Sequence, residues 1–157
     1  MRIFKSIMGI ALSIILFLVI CTLSYWALAL LEGLRSWTWL HQGGFLRTLS
    51  KIIVGSNAYP SEYTIGSKLQ HLFINLMAIG AGAYLAMLGV DKILRASYSK
   101  KIVLYGFSAA LVLFAICALI LMISVAKQAG FGAYDFSIQI LTPIVAISVA
   151  FFAIGKK

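Results

Sequence analysis

Charged residues are scarce in this 157-residue chain. Asp, Glu, Lys and Arg make up 11% of it, whereas hydrophobic residues make up 62%. Average soluble domains are about 25% charged and about 45–50% apolar. So few charged side chains could not cover the surface of a water-soluble globule. The composition therefore excludes a soluble enzyme, a secreted disulfide-rich module and a disordered tail, and it predicts an integral membrane protein.

Acidic residues are rarer still, and none lies in the middle of an apolar segment. The four are Glu32, Glu62, Asp91 and Asp135. Proton relays, ion-coupled transporters and voltage sensors need charged groups inside the membrane. The sequence also contains no G-x-S-x-G or H-E-x-x-H motif and no pair of acids suited to acid–base catalysis. We therefore expect a protein that is not an enzyme.

Cysteine and histidine are limited to two residues each. Cys21 and Cys117 lie within apolar segments without C-x-x-C spacing, so we expect buried thiols and no thiol chemistry. His41 and His71 could form an axial haem pair or contact a quinone. Polar side chains at the membrane interface are the simpler interpretation, since His41 precedes a helix instead of lying within one. No cofactor and no metal site are predicted.

Four apolar segments are long enough to cross a bilayer, which needs about 20 residues each. They cover about 7–31, 69–90, 102–126 and 136–154. The first is longer than the apolar core of a signal peptide, so we expect it to be retained. The prediction is an all-α integral membrane protein, in which residues 1–157 form a single membrane domain built as a four-transmembrane-helix bundle.

The connection between the first two spans, residues 32–67, is the longest in the chain. Apolar residues recur at helical spacing over 45–54, which predicts a short amphipathic surface helix between helices 1 and 2. Trp37 and Trp39 precede it. Tryptophan is typical of membrane interfaces, but it is also enriched where proteins bind each other. These two residues are therefore candidate partner-docking residues.

Small residues recur every four positions in the second span, at Ala78, Gly82 and Ala86, and a second four-residue series ends at Gly89 after Ala81 and Leu85. Small side chains at this spacing let another helix approach closely in lipid. This span is therefore predicted to be the most closely packed, and its small-residue ridge is a candidate docking surface for a larger integral membrane protein.

A few polar side chains lie within or beside the spans, and they are candidates for hydrogen bonds between helices: Gln70, His71, Asn75 and Gln139. Pro143 in the fourth span predicts a kink, because proline cannot donate to the carbonyl one turn earlier, at Gln139.

The formal charge of +9 would suggest nucleic-acid binding in a soluble protein. Here the bases flank apolar spans, so we expect contact with the lipid bilayer and no nucleic acid. The two terminal segments and the connection between the second and third spans carry eight bases. The other two connections, although longer, carry five. The positive-inside rule therefore places both termini in the cytoplasm, in a bacterial-type inner membrane. The eight bases are Arg2, Lys5, Lys92, Arg95, Lys100, Lys101, Lys156 and Lys157.

Taken together, these features favour a non-catalytic accessory or partner subunit of a larger membrane complex. A homo-oligomeric channel or small-solute transporter is the alternative, because hydroxyls and backbone carbonyls can line a pore without charged residues. A haem- or quinone-binding redox subunit that uses His71 is a weaker alternative.

Overall fold

The structure, a computed structural model, describes residues 2–32, 65–95, 98–129 and 133–155. These residues form four α-helices: α1 (Arg2–Glu32), α2 (Ile65–Leu94), α3 (Lys100–Ala129) and α4 (Ala133–Ile154). The predicted surface helix at 45–54 lies outside the described residues, as do Trp37, Trp39 and His41.

All four helices are long and apolar enough to cross a membrane. Their qualifying stretches are Ile3–Leu28, Leu72–Leu94, Lys100–Ser124 and Phe136–Ile154. The fold is thus all-helical and compatible with a multi-pass membrane protein. The helices extend several residues beyond the apolar segments, so that Asp91 belongs to α2 and not to a connection. Hydropathy detects the apolar part of a helix, whereas polar residues can continue the same backbone.

Successive helices run in opposite directions. The backbone N–H of Ser99, just before α3, donates to Oγ of Ser6 near the start of α1 over 2.9 Å. Near the same end, the rings of Tyr105 in α3 and Phe151 in α4 lie 6.1 Å apart. We call this end, where α1 and α3 begin and α2 and α4 finish, the basic end. It carries Lys5, Lys92, Arg95, Lys100 and Lys101.

The helices pack as a four-sided ring whose order differs from the chain order. Among the described residues, α1 packs against α2 and α3, and α4 packs against the same two helices. The consecutive helices α2 and α3 stand diagonally opposite and touch only marginally. Each helix therefore has one antiparallel and one parallel neighbour.

The backbones of α1 and α2 approach closely at Gly82. A Cβ atom added to Gly82 would lie 2.9 Å from Cβ and 3.0 Å from Cα of Cys21. Gly89 faces Leu16 in the same way, with 3.0 Å from its added Cβ to Cδ1. Small side chains allow this contact, and α2 is the most buried of the four helices, as predicted.

Two phenylalanines join α1 to α3 in the core. The rings of Phe17 and Phe107 lie 5.5 Å apart at 81°, the edge-to-face geometry that aromatic pairs prefer. Both side chains are buried, together with Ile79, Met87 and Val90 of α2. Cys21 is buried in this core as expected. The prediction of a buried Cys117 is wrong, because that thiol lies on an exposed face of α3.

Candidate partner-docking surface

The small-residue ridge of α2 is occupied within the chain itself. Ala78 and Ala86 are fully buried, and Gly82 lies against the backbone of Cys21 in α1. Gly89 continues the same contact toward the basic end. A partner could reach this ridge only by displacing α1. In this structure the ridge therefore packs within the bundle.

Side chains along one face of α3 become more exposed with distance from the basic end. Phe107, Phe114 and Leu121 are seven residues apart, so they lie almost on one line along the helix. Their exposed fractions rise from 0% through 46% to 65% with distance from the basic end. Phe107 at the start of this line lies in the core, whereas Phe114 and Leu121 further along it are exposed.

A second line on α3 runs alongside and consists of small residues: Ala110, Cys117 and Ser124. Cys117 and Ser124 are exposed, and the Ser124 hydroxyl donates to the carbonyl of Ile120 over 2.8 Å, so no polar group is left unsatisfied there. We call the two lines together the open face of α3. A row of large side chains beside a row of small ones forms a ridge and a groove, the surface shape that helices use to pack against each other.

The close α1–α3 contacts that the described residues show lie toward the basic end and in the core. A Cβ atom on Gly9 would lie 2.8 Å from Cγ2 of Val103, and Phe17 meets Phe107 a short distance further along. Further along α3, Phe114 and Leu121 are exposed, whereas Ala115, Ala118 and Met122 are buried. Ala118 lies eleven residues after Phe107 and within about 20° of its line, so the exposed positions lie to one side of that line.

Two of the four side chains predicted to bond between helices lie inside the bundle. Asn75 in α2 and Gln139 in α4 are both buried, as side chains that bond between helices should be. Gln70 and His71 belong to α2, but their side chains lie outside the described part of the chain. Pro143 lies inside α4, four residues after Gln139. The residue just before this proline, Thr142, buries its Oγ1 without a hydrogen-bond partner among the described residues.

A polar cluster at the basic end was not anticipated. The carboxylate of Asp91 accepts a hydrogen bond from the Tyr98 hydroxyl over 3.0 Å and pairs with Nζ of Lys100 at 3.2 Å. Arg95 ends α2 in the left-handed conformation, with φ of 46°, and its N–H donates to the carbonyl of Asp91. This is the single-bond helix cap that usually employs glycine. We call these residues the Asp91 cluster.

Sequence reasoning missed this cluster because its contacts follow no helical or strand period. Asp91 and Lys100 are nine residues apart on helices that meet only through the turn. One feature of the sequence did point to such a contact: Asp91 is the single acidic residue on the side of the membrane to which eight bases are assigned. A lone acid in a basic surrounding is expected to find a cation.

Tyr98 should make stability depend on pH in the alkaline range. Burial and then its contact with Asp91 raise the pKa of this phenol. The folded state therefore keeps the proton longer, and the contribution of Tyr98 is complete below its ordinary pKa of about 10 and lost as pH rises through the higher folded value. Tyr98→Phe is expected to lower the free energy of unfolding by about 1–2 kcal/mol at neutral pH.

Above pH of about 10 this difference between the two proteins should shrink, because only the wild type then loses the contribution of the phenol. Denaturation followed by circular dichroism at a series of pH values measures it. A difference that stays constant throughout the alkaline range would contradict the assignment.

No group of three or more His, Cys, Asp or Glu side chains that could hold a metal ion is found in the described ranges. In comparisons with known proteins, no family model, no curated protein and no solved structure matches the chain.

Proposed function

We propose that this chain is a non-catalytic multi-pass membrane protein that acts as an accessory subunit of a larger membrane complex. In this proposal the four helices span the bilayer, and the open face of α3 receives a transmembrane segment of the partner. Support for insertion comes from the four apolar helices and from the many large hydrophobic side chains that they expose. In water such a surface would aggregate, whereas lipid and protein can cover it.

The observation that carries the docking proposal is the exposure of Phe114 and Leu121 on the same line as the buried Phe107. In a closed four-helix bundle, positions in line with a core residue are themselves covered by a neighbouring helix. The adjacent small row lets a partner backbone approach closely, which is how helices associate where the surrounding lipid is as apolar as the side chains.

The outer loop remains a second proposed contact. Trp37 and Trp39, together with the surface helix predicted at 45–54, would lie at the membrane surface on the side away from the basic end. Large aromatic side chains at that level could bind the outer face of the same partner.

For orientation, we propose that the basic end and both termini lie in the cytoplasm, at a bacterial-type inner membrane. In support, the start of α1, the turn between α2 and α3 and the end of α4 come together at this end. A cytoplasm-specific reporter fused after Lys157 should be active, whereas a reporter that requires export should be silent.

The test of docking uses a photo-crosslinking amino acid at Leu121, with Ile123 as the matched control. The two side chains are 65% and 67% exposed and differ mainly in the face of α3 on which they lie. After irradiation of native membranes, Leu121 should give one discrete adduct with a larger membrane protein, and Ile123 should give none. Mild-detergent purification should recover the same protein in fixed stoichiometry.

Two results would contradict the proposal. Equal labelling from both positions would mean that the open face has no specific occupant. An adduct at twice the mass of this 17.1 kDa chain would mean that a second copy covers the face. That result would favour the homo-oligomeric channel or transporter, which flux measurements in liposomes would then examine.

A further inference from the structure

We infer that the bases at the end of α2 and the start of α3, within residues 91–101, form a binding surface for an anionic phospholipid. This inference rests on the proposed membrane location, and it is independent of the proposed protein partner. The surface consists of the exposed bases Lys92, Arg95 and Lys101 together with exposed apolar side chains that adjoin them.

The charge of residues 91–101 is strongly one-sided. Four bases and one acid leave a net charge of +3 over eleven residues. The acid, Asp91, is already engaged by Lys100 at 3.2 Å and by the Tyr98 hydroxyl. Lys92, Arg95 and Lys101 form no ion pair within the described residues. Three exposed positive charges therefore remain for an anion from outside the chain.

The fold brings together the two helix ends that carry these bases. Lys92 adjoins Asp91 and Lys101 adjoins Lys100, so the Asp91–Lys100 ion pair joins their backbones across the turn. Arg95 is positioned by its left-handed φ and by the bond from its N–H to the Asp91 carbonyl. Because these contacts fix the described backbone around Asp91, Arg95 and Lys100, an anion that binds here needs less ordering of the chain.

The apolar neighbours select a lipid over a free anion. Ile93 adjoins Lys92, and Ile102 adjoins Lys101, and both are exposed. Tyr105 is exposed one turn further along α3. A phospholipid presents a phosphodiester to the bases and acyl chains to the apolar side chains, and the planar guanidinium of Arg95 can bind two phosphate oxygens at once. Inorganic phosphate would use only the bases.

The experiment equilibrates the purified full-length chain in mild detergent with phosphatidylglycerol and phosphatidylcholine of identical acyl chains. Native mass spectrometry then counts the lipids that stay bound. The test variant is K92Q/R95Q/K101Q. The first control, K92R/K101R, keeps the charge and the guanidinium of Arg95, and the second, K68Q/K127Q, removes charge at the helix ends opposite the basic end. Circular dichroism checks that each variant keeps its helices.

Wild type is expected to retain phosphatidylglycerol in preference to phosphatidylcholine. The K92Q/R95Q/K101Q variant should weaken that binding about a hundredfold, since each base near a lipid surface contributes about fivefold. Both controls should bind as wild type does. No preference between the two lipids, or an equal loss in K68Q/K127Q, would overturn the inference. Displacement of the lipid by inorganic phosphate at equal concentration would overturn the assignment of a lipid as the ligand.

Discussion

Replacing Phe107 with alanine is expected to lower the free energy of unfolding by about 3 kcal/mol. Phe107 is fully buried and makes the edge-to-face contact with Phe17 that joins α1 to α3. The substitution removes that contact and leaves a cavity in the core. The value lies at the low end of the range for soluble cores, because in detergent or lipid the unfolded helices are also surrounded by apolar groups.

Phe114→Ala is the matched control for this prediction. The residue type, the helix and the line on its surface are the same, but Phe114 is 46% exposed. In the isolated chain its removal should cost no more than about 1 kcal/mol. Unfolding in detergent micelles by added dodecyl sulfate, followed by circular dichroism, measures both. Equal losses would mean that the bundle is closed at Phe114 and that the open face does not exist.

In the complex that we propose, Phe114 should matter more than Phe107 for binding the partner, which is the reverse of their effects on stability. Phe114→Ala should weaken recovery of the partner, because this side chain would pack against the partner helix and large buried side chains dominate such contacts. The isolated chain would remain folded. A variant that loses its partner but keeps its stability would separate docking from folding.

Gly82→Ala is expected to lower the free energy of unfolding by about 2–3 kcal/mol, the upper part of the range for overpacking a filled core. The new Cβ would lie 2.9 Å from Cβ, 3.0 Å from Cα and 3.1 Å from N of Cys21. Two of these are backbone atoms, which cannot turn aside as the end of a side chain can. The α1 and α2 helices would have to separate, and every contact along the small-residue ridge would weaken.

The neighbouring Gly80→Ala is the control, and it should have the opposite sign. A Cβ atom there meets Val145 and Val149 of α4 at 3.8 and 3.9 Å, which is ordinary van der Waals contact. Alanine is favoured over glycine inside a helix by up to about 1 kcal/mol, so this variant should unfold at a higher detergent challenge than wild type. Similar losses in both variants would refute the close α1–α2 approach.

Hydropathy along the chain was sufficient to find the four long helices of the described ranges and their approximate positions. An apolar stretch of about 20 residues can satisfy its backbone inside lipid only as a helix or a closed barrel, so the local signal is strong. The same local logic found α2 as the most buried helix from its small residues. It was less accurate at helix ends, where polar residues such as Asp91 continue the helix, and it misplaced Cys117.

Which neighbour each helix face meets could not be read from the chain. The ridge of Ala78, Gly82 and Ala86 shows that something packs closely against α2, but the same pattern fits a helix of this chain or of a partner. Only the packed bundle assigns it to α1, places α2 and α3 on a diagonal and leaves Phe114 and Leu121 uncovered. The pairing of Asp91 with Lys100 likewise follows from where the helix ends meet. Periodicity records that a face is suited to packing, whereas the identity of its neighbour depends on contacts between residues that are distant in sequence.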